Sequence, residues 1–252
     1  MINLMISGCT GIMGKVVEKI VEDSKAMKVV AGCDIVDNPK CNYPVFTDPN
    51  TCDQDIDVII DFSNPAALNN LLCFAKKKNI PIVIATTGFS QEQIELINET
   101  SKEIPVFFSS NMSLGVSLII DLAKKAVAVL KDNFDIEIIE KHHNQKIDAP
   151  SGTALAIANE INKELSEKKE YVYDRHLIRE KRSKKEIGIH TVRGGTIVGE
   201  HSIIFAGNNE IVELNHTSMS KDVFAVGAIK AAEYLAGKNP GLYQMSDLIK
   251  NA

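Results

Sequence analysis

Short apolar runs alternate with segments of helical periodicity over the first 112 residues. Five of these runs fit buried strands, at residues 2–7, 28–33, 57–62, 81–85 and 106–108. Between them lie signals for helix N-termini, such as Pro65 in a first turn and a capping box that begins at Ser90. Repeated strand–helix–strand units predict a parallel sheet that is covered by helices on both faces.

The pattern changes after about residue 112. Helices are expected over about 116–130 and 153–165, and strands over 134–140, 187–191, 197–206 and 210–215. The turn at 207–209 indicates a hairpin, so we expect a second sheet that is mostly antiparallel. A last helical stripe, from Phe224 to Leu235, could return to cover the first sheet. The first half is therefore predicted to be α/β and the second half α+β.

The composition is that of a soluble globular chain, with 44% apolar and 24% charged residues. A formal net charge of -5 argues against a dedicated nucleic-acid binder. No apolar stretch reaches the roughly 18 residues of a membrane span. The five cysteines are odd in number and form no C-x-x-C pair, and the first apolar run lacks the features of a secretory signal. We therefore expect reduced thiols and a cytoplasmic protein.

Residues 163–186 carry 15 charges in 24 positions, nine basic and six acidic. A basic run of this kind could contact an acidic partner. A solvated helix end followed by a mobile connector is the preferred interpretation, and we assign this segment no chemistry.

A glycine-rich turn directly follows the first predicted strand. Gly8, Gly11 and Gly14 form a G-x-x-G-x-x-G pattern that runs into a helical segment. Glycines allow a tight turn and the approach of backbone amides to a pyrophosphate, and the helix N-terminus attracts the anion. Asp34 closes the second strand, where a carboxylate accepts hydrogen bonds from ribose hydroxyls. Together these features predict a Rossmann-type dinucleotide site.

The same residues predict which dinucleotide is used. A 2′-phosphate would meet the like charge of Asp34, and the nearby Ile12, Ile35 and Val36 offer no cation. We therefore expect NADH to be preferred. NADPH stays possible, because lysines at positions 15 and 40 could reach a phosphate.

The stretch from Glu140 to Ala154 is the densest group of residues that are able to do chemistry. His142, His143 and Lys146 can hold or donate a proton, or bind a carboxylate. The Ser-Gly-Thr sequence at 151–153 then opens a helix whose amides and dipole suit a carboxylate. We expect no metal site at the histidine pair, because adjacent residues of a strand point to opposite faces and no third ligand is near.

This stretch reads E-x-H-H-x-x-K-x-D-A-P-S-G-T-A and lies behind an N-terminal G-x-x-G-x-x-G. The combination resembles the 4-hydroxy-tetrahydrodipicolinate reductase (dihydrodipicolinate reductase) family of bacterial lysine and diaminopimelate synthesis. The resemblance spans nearly the whole chain. Its further stretches are Asp-Phe-Ser at 61–63, Ala-Thr-Thr-Gly-Phe at 85–89, Ser-Asn-Met-Ser-Leu-Gly-Val at 110–116, Arg-Gly-Gly at 193–195, Val-Gly-Glu-His at 198–201 and His-Thr-Ser at 216–218.

The resemblance implies a role for each matching residue. His142 matches the proton donor or acceptor, and Lys146 matches a second proton donor. The implied substrate contacts are His143, Ser151, Gly152 and Thr153. The implied cofactor contacts are Gly8, Cys9, Thr10, Gly11, Ile12, Met13, Asp34, Ala85, Thr86, Thr87, Ser109, Ser110, Asn111 and Met112.

Three positions depart from the pattern of some family members. Ile12 and Ile35 stand where arginines that contact the 2′-phosphate can occur, which is consistent with the charge argument for NADH. Lys221 stands at a position that is often arginine, so its role is less defined.

The resemblance further implies the reaction and the architecture. Hydride transfer from NAD(P)H to ring carbon 4 of a cyclic imine dicarboxylate, followed by protonation, would give tetrahydrodipicolinate. Residues 1–112 with 222–252 would form the dinucleotide-binding domain, and residues 113–221 the substrate-binding and oligomerisation domain. The family is typically a homotetramer built through the strands of the second sheet, here the region 187–215. Neither a nucleic-acid nor a membrane partner is expected.

Two other functions share some of these features. A different two-domain dehydrogenase, such as an aspartate dehydrogenase, would have the glycine turn but no reason for the Ala-Pro-Ser-Gly-Thr helix start at 149–153. A dinucleotide sensor without turnover could also carry the turn.

Overall fold

A computed structural model describes residues 1–36, 40–109, 111–130 and 133–250. The chain divides into two compact units, one made of Met1–Leu114 with Asp222–Ala252 and the other of Gly115–Lys221. No helix in the described ranges is both long and apolar enough to cross a membrane.

The strands are β1 (Ile2–Ser7), β2 (Met27–Cys33), β3 (Val45–Phe46), β4 (Val58–Asp61), β5 (Ile82–Ile84), β6 (Pro105–Phe108), β7 (Asp135–His142), β8 (Glu170–Val172), β9 (Glu186–Arg193), β10 (Gly199–Ala206), β11 (Ile211–Ser218) and β12 (Gly241–Tyr243). The α-helices are α1 (Ile12–Glu22), α2 (Leu68–Lys78), α3 (Gln91–Ser101), α4 (Leu114–Leu130), α5 (Gly152–Glu164), α6 (Asp222–Leu235) and α7 (Met245–Lys250).

The first unit contains a parallel sheet with strand order β12-β6-β5-β4-β1-β2-β3. This confirms the predicted α/β fold class. The strand order reverses between β1 and β4, and in open α/β sheets ligands bind at such a switch point, outside the carboxyl ends of the strands. The glycine turn follows β1 at this point.

Helices cover both faces of this sheet. Alternate residues of β1 face opposite ways: Leu4 and Ile6 pack into one buried cluster, and Met5 packs into the other. α1 and α6 contribute to the first cluster, and α2 and α3 to the second. The prediction that the last helical stripe returns to cover the first sheet is confirmed, because Ala228 and Leu235 are fully buried in the first cluster.

The second unit contains a five-stranded sheet with order β11-β10-β7-β9-β8. β10 pairs with β7 and with β11 in antiparallel fashion, whereas β9 pairs with β7 and with β8 in parallel fashion. The sheet is therefore mixed. The parallel part arises because α5 connects β7 to β8 and the long segment 173–185 connects β8 to β9, so that each strand runs in the same direction as the one before it. α4 and α5 bury one face of this sheet.

The charged segment 163–186 is more ordered than the expected mobile connector. It contains β8, and Arg182 donates hydrogen bonds to Glu137 at 2.7 Å and to Asp135 at 2.8 Å. Arg175 pairs with Glu186. The prediction of a mobile connector is therefore wrong for the residues that hold these contacts.

Candidate active site

The glycine turn after β1 depends on the absence of side chains. Gly8 has a φ of +79°, and a Cβ there would lie 2.5 Å from the carbonyl oxygen of Phe62. A Cβ on Gly14 would lie 2.2 Å from the carbonyl oxygen of Gly8, so α1 can start this close to the turn only with glycine. Gly11 is the N-cap residue of α1 and has no side chain to bond the amides of the first turn. The turn thus presents backbone amides in the way that a pyrophosphate site requires.

Asp34 joins the end of β2 to this turn. Its Oδ2 accepts hydrogen bonds from the Thr10 backbone N–H at 2.9 Å and from the Thr10 hydroxyl at 2.8 Å. Its Oδ1 accepts a hydrogen bond from the Ile35 N–H at 2.8 Å and retains a lone pair that could accept a ribose hydroxyl. Ile35 and Ile12 are 90% and 84% exposed, so their side chains meet solvent.

Two of the predicted cofactor residues in the turn point inward. Cys9 is fully buried, and burial first, then the charge of Asp34, raises the pKa of its thiol to about 12. Met13 packs partly buried against the core cluster. Only the backbone of Cys9 can therefore face a ligand, and its side chain is a core residue.

The predicted loops after β5 and β6 lie at the same edge of the sheet. Ala85 and Thr86 are buried, and Thr87 is exposed. The Thr86 hydroxyl donates to the backbone carbonyl of Asp61, at the end of β4, over 3.5 Å. Asp61 is itself buried, and burial raises the pKa of its carboxyl although hydrogen bonds from Ser63 and other neighbours oppose the shift.

In the segment after β6, the Ser109 hydroxyl donates to the carbonyl of Asn111 over 3.0 Å. The Asn111 side chain accepts from the Ser113 N–H over 2.8 Å, and Met112 is buried. Ser110, a further predicted cofactor contact, lies outside the described residues. The first unit thus brings the described cofactor candidates together at the carboxyl ends of β1, β2, β5 and β6, and the bare glycine turn with its fixed Asp34 fits a dinucleotide.

In the second unit, a buried carboxylate organises the histidine stretch. Glu140 and His142 lie on the same buried face of β7, two residues apart. Glu140 Oε2 lies 2.6 Å from His142 Nδ1, and Arg193 on β9 donates to both carboxylate oxygens at 2.8 Å. Burial alone would raise the pKa of Glu140, but the hydrogen bonds from Arg193, His142 and Ser151 outweigh it and hold the pKa at about 2. Glu140 is therefore ionised, and an ionised carboxylate can only accept hydrogen bonds.

Ser151 links this carboxylate to the start of α5. Its backbone N–H donates to Glu140 Oε1 over 2.9 Å, and its hydroxyl caps α5 by accepting from the Ala154 N–H over 3.1 Å. The same hydroxyl lies 3.1 Å from Nε2 of His201 on β10. Ser151 is buried, whereas Gly152 is exposed and Thr153 is partly exposed. The helix start is thus positioned by groups from β7 and β10.

Two further histidines, His201 and His216, lie on the same sheet face as Glu140 and His142. Neither of them received a role from the sequence. The His201 ring contacts the His142 ring edge to face, with centroids 5.3 Å apart. Burial, followed by the charge of His142, lowers the pKa of His201 to about 4, so this ring is neutral near pH 7. His216 on β11 lies opposite His201 in the sheet register, and burial lowers its pKa too. The signal that could have found His201 is its place among Gly199, Ile203 and Phe205 on an otherwise apolar strand face.

His143 and Lys146 lie on the loop between β7 and α5. The Lys146 N–H donates to the His143 carbonyl over 3.2 Å, which closes a turn, and Lys146 Nζ lies 2.7 Å from Asp148 Oδ1. The pKa of Asp148 is lowered, first by the hydrogen bond from Lys146, and the amide of Gly152 adds to this effect. A cation and a helix start thus stabilise a carboxylate at this point of the loop. No group of three or more metal-ligating side chains occurs in the part of the chain that the structure describes.

Comparison with known proteins identifies the relatives of the chain. Residues 2–112 match the family model "Dihydrodipicolinate reductase, N-terminus", and residues 115–249 match "Dihydrodipicolinate reductase, C-terminus". A 4-hydroxy-tetrahydrodipicolinate reductase of Caldanaerobacter subterraneus subsp. tengcongensis is 54% identical over 99% of both chains. One of Clostridium novyi is 51% identical over 100% of this chain and 99% of the relative. The solved structure of dipicolinate-bound dihydrodipicolinate reductase from Paenisporosarcina sp. TG-14 superposes with a TM-score of 0.81, at 27% identity over 97% of both chains. The chain therefore belongs to the dihydrodipicolinate reductase family, as its motifs predicted.

Proposed function

We propose that this chain reduces 4-hydroxy-tetrahydrodipicolinate to tetrahydrodipicolinate in the synthesis of diaminopimelate and lysine. The observation that carries the proposal is the hydrogen-bonded network of Glu140, which fixes the His142 imidazole next to the start of α5. This network occurs in a chain that matches the two family models over nearly its whole length.

The first unit would hold the pyridine nucleotide. The amides of the glycine turn would bind the pyrophosphate, Asp34 the adenosine ribose, and the loops at 85–87 and 109–112 the nicotinamide and its ribose. When bound, NAD(P)H supplies the hydride. The glycine turn supports this assignment. Any side chain at Gly8 or Gly14 would collide with the backbone, so the turn keeps its backbone amides free of side chains at these positions.

The second unit would bind the dicarboxylate and supply the proton. The start of α5, at Gly152 and Thr153, would hold one carboxylate, together with Lys146 and His143. The place of Asp148 supports this role, because it shows that the same loop stabilises a negative charge. His142 would transfer the proton that completes the reduction, with Lys146 as a second donor. Ser151 would act by positioning, since its N–H and hydroxyl are both engaged within the unit.

NADH is the preferred cofactor in this proposal. The carboxylate of Asp34 is fixed by Thr10 and Ile35, so it cannot swing away from a 2′-phosphate without breaking three hydrogen bonds. The exposed side chains of Ile12 and Ile35 provide no positive charge to compensate.

The proposal also assigns a role to each unit, an oligomeric state and a cellular compartment. The first unit, with residues 1–112 and 222–252, is the dinucleotide-binding domain. Residues 113–221 form the substrate-binding domain, and its strands in the region 187–215 build a homotetramer. The protein acts in the cytoplasm, where its five cysteines stay reduced.

The experiment is a reductase assay with the purified full chain and freshly generated substrate, followed by the loss of nicotinamide absorbance with NADH and with NADPH. We expect turnover with both cofactors and a higher kcat/KM with NADH. His142→Ala should lower kcat by about 10²-fold or more at nearly unchanged affinity for NADH, because it removes a general acid.

The possible results separate the parts of the proposal. A chain that binds NADH but consumes none would be a dinucleotide sensor, and turnover of aspartate instead would indicate an aspartate dehydrogenase. A higher kcat/KM with NADPH would refute the preference alone. An unchanged kcat in His142→Ala would assign the proton to another group.

A further inference from the structure

The contacts of Glu140 determine which nitrogen of His142 can exchange a proton. Glu140 is fully buried and ionised, so its contact with His142 Nδ1 at 2.6 Å requires that Nδ1 carries the hydrogen. His142 Nε2 then holds the lone pair of the neutral ring. Among the described residues, Nε2 has no hydrogen-bond partner, and it faces Gly199, where a Cβ would lie only 3.1 Å away.

Hydrogen-bond donors contact both oxygens of the Glu140 carboxylate and hold it in this orientation toward His142. Oε1 accepts from Arg193, from the Ser151 N–H at 2.9 Å and from the Thr191 hydroxyl at 3.1 Å. Oε2 accepts from Arg193 and His142. A bidentate arginine pair of this kind fixes the plane of the carboxylate as well as its position. The donors come from β7, β9 and the start of α5, so the ring is oriented relative to all three elements.

We propose that Glu140, held by Arg193, is a positioning residue that fixes His142 in its Nδ1–H tautomer and so makes Nε2 the nitrogen that exchanges the proton. The proposal rests on the proposed function of His142 as the proton donor. Glu140 touches neither substrate nor cofactor in this role. It acts through the imidazole, in the way that an acidic residue orients the histidine of a hydrolytic triad.

Glu140→Gln tests the proposal because it keeps the shape and changes the donor pattern. Three donors face Oε1 and two face Oε2, so the amide oxygen of glutamine should take the Oε1 side. Its NH2 group would then face His142 Nδ1 and donate to it. The neutral His142 ring should then adopt the Nε2–H tautomer. In this tautomer Nε2, the nitrogen proposed to exchange the proton, has no free lone pair.

The chain provides a matched control on the opposite face of the same strand. Glu137 contacts His190 Nε2 at 2.7 Å and Arg182 Nε at 2.7 Å, so it also joins a histidine to an arginine. Glu137→Gln removes an equivalent carboxylate without changing the surroundings of His142. Gel filtration compares the oligomeric state of the Glu137→Gln variant with that of the wild type, so that an effect on assembly is detected.

Two readouts are measured on the full chain. The first is the ¹⁵N spectrum of the histidine side chains, in which His142 is assigned from the signal that disappears in His142→Gln. We expect Nδ1–H in the wild type and in Glu137→Gln, and Nε2–H in Glu140→Gln. The second is steady-state kinetics, in which Glu140→Gln should lower kcat by about 10²-fold or more, as wrong-tautomer variants do, with KM for the dicarboxylate changed less than threefold.

Each result has a defined meaning. An Nε2–H tautomer in the wild type would overturn the proposal even if Glu140→Gln failed to fold. A kcat close to that of the wild type in Glu140→Gln, or an equal loss in Glu137→Gln, would also overturn it while the proposed reductase function stands. A wild-type chain that oxidises no NADH would instead overturn the proposed function, and the tautomer spectrum would still report whether Glu140 fixes the ring.

Discussion

Two neighbouring histidines of the second unit, His142 and His201, differ in the hydrogen-bond partners of their ring nitrogens. His142 has an ionised carboxylate on Nδ1, whereas His201 has only the hydroxyl of Ser151 on Nε2 and a buried Nδ1 without a partner among the described residues. A buried ring with no carboxylate partner disfavours the charged form. His201 therefore serves as a neutral support for the start of α5, while His142 is held by a carboxylate at Nδ1.

The environment of His201 predicts how the stability of the protein depends on pH. Its pKa of about 4 in the folded state lies below the ordinary value of 6.5, so between these values the unfolded chain binds more protons. The contribution to stability is fully present above about pH 6.5 and is lost as the pH falls towards 4. From pH 7 to pH 5 the loss from this group is about 2 kcal/mol.

His201→Gln removes the titrating ring and keeps a side-chain amide that can bond the Ser151 hydroxyl, because a glutamine amide reaches the place of the imidazole Nε2. Its free energy of unfolding should therefore fall less steeply than that of the wild type between pH 7 and pH 5. Urea unfolding followed by circular dichroism at the two pH values measures the difference. His176→Gln, at an exposed position, should follow the wild type, and parallel curves for wild type and His201→Gln would show that His201 does not cause the loss.

Among the elements, apolar runs bounded by turn residues were predicted correctly, whereas β3, β8 and β12 were not predicted. The five parallel strands and the capped start of α3 at Ser90 follow from local patterns, and the structure contains them. β3 has only two residues, and β12 begins with glycine and lacks the run of three aliphatic residues that marks β5. The direction of β9 was also beyond the sequence, because alternation reports a solvated face and not the partner of a strand.

Close packing between α6 and the segment after β6 gives a prediction at this scale. A Cβ on Gly227 of α6 would lie 1.6 Å from the carbonyl oxygen of Met112, which is backbone and cannot rotate away. Gly227→Ala should destabilise the protein by about 1–3 kcal/mol, as overpacking does. It should also raise KM for NADH, because the displaced segment contains the predicted cofactor loop at 109–112.

Thermal unfolding and NADH kinetics measure these two effects. Gly194→Ala is the control, since a Cβ there meets no atom within 4 Å and the variant should keep the melting temperature of the wild type. An unchanged melting temperature in Gly227→Ala would mean that α6 can shift at no cost, which would contradict the close packing.

On the scale of the whole molecule, the sequence revealed the residues proposed to touch the substrate but not Arg193 and His201, which hold them in place. His142, Lys146 and the start of α5 lie within one motif of fifteen residues, so the resemblance could name them together. Arg193 and His201 are 53 and 50 residues away from the groups they contact, Glu140 and Ser151. Only the register of β7 with β9 and β10 brings these residues together, and a single sequence does not specify that register.

The two units also differ in how the chain builds them, which predicts how they behave when separated. The second unit is one continuous segment with its own buried cluster, formed by α4, α5 and the mixed sheet. The first unit needs two segments, because α6 supplies fully buried side chains, such as Ala228, Ala231 and Leu235, to one face of its sheet. A fragment of residues 113–221 should therefore fold, whereas a fragment of residues 1–112 should expose that face and fail to do so.

Circular dichroism and the dispersion of amide NMR signals distinguish folded from unfolded fragments. All residues that fix the His142 ring lie in the second unit, so the folded fragment 113–221 should retain the Nδ1–H tautomer of the full chain. Adding residues 222–252 to the first fragment through a short linker should restore its fold, because α6 is then present. A cooperatively folded 1–112 fragment would show that α6 covers a sheet that is already stable without it.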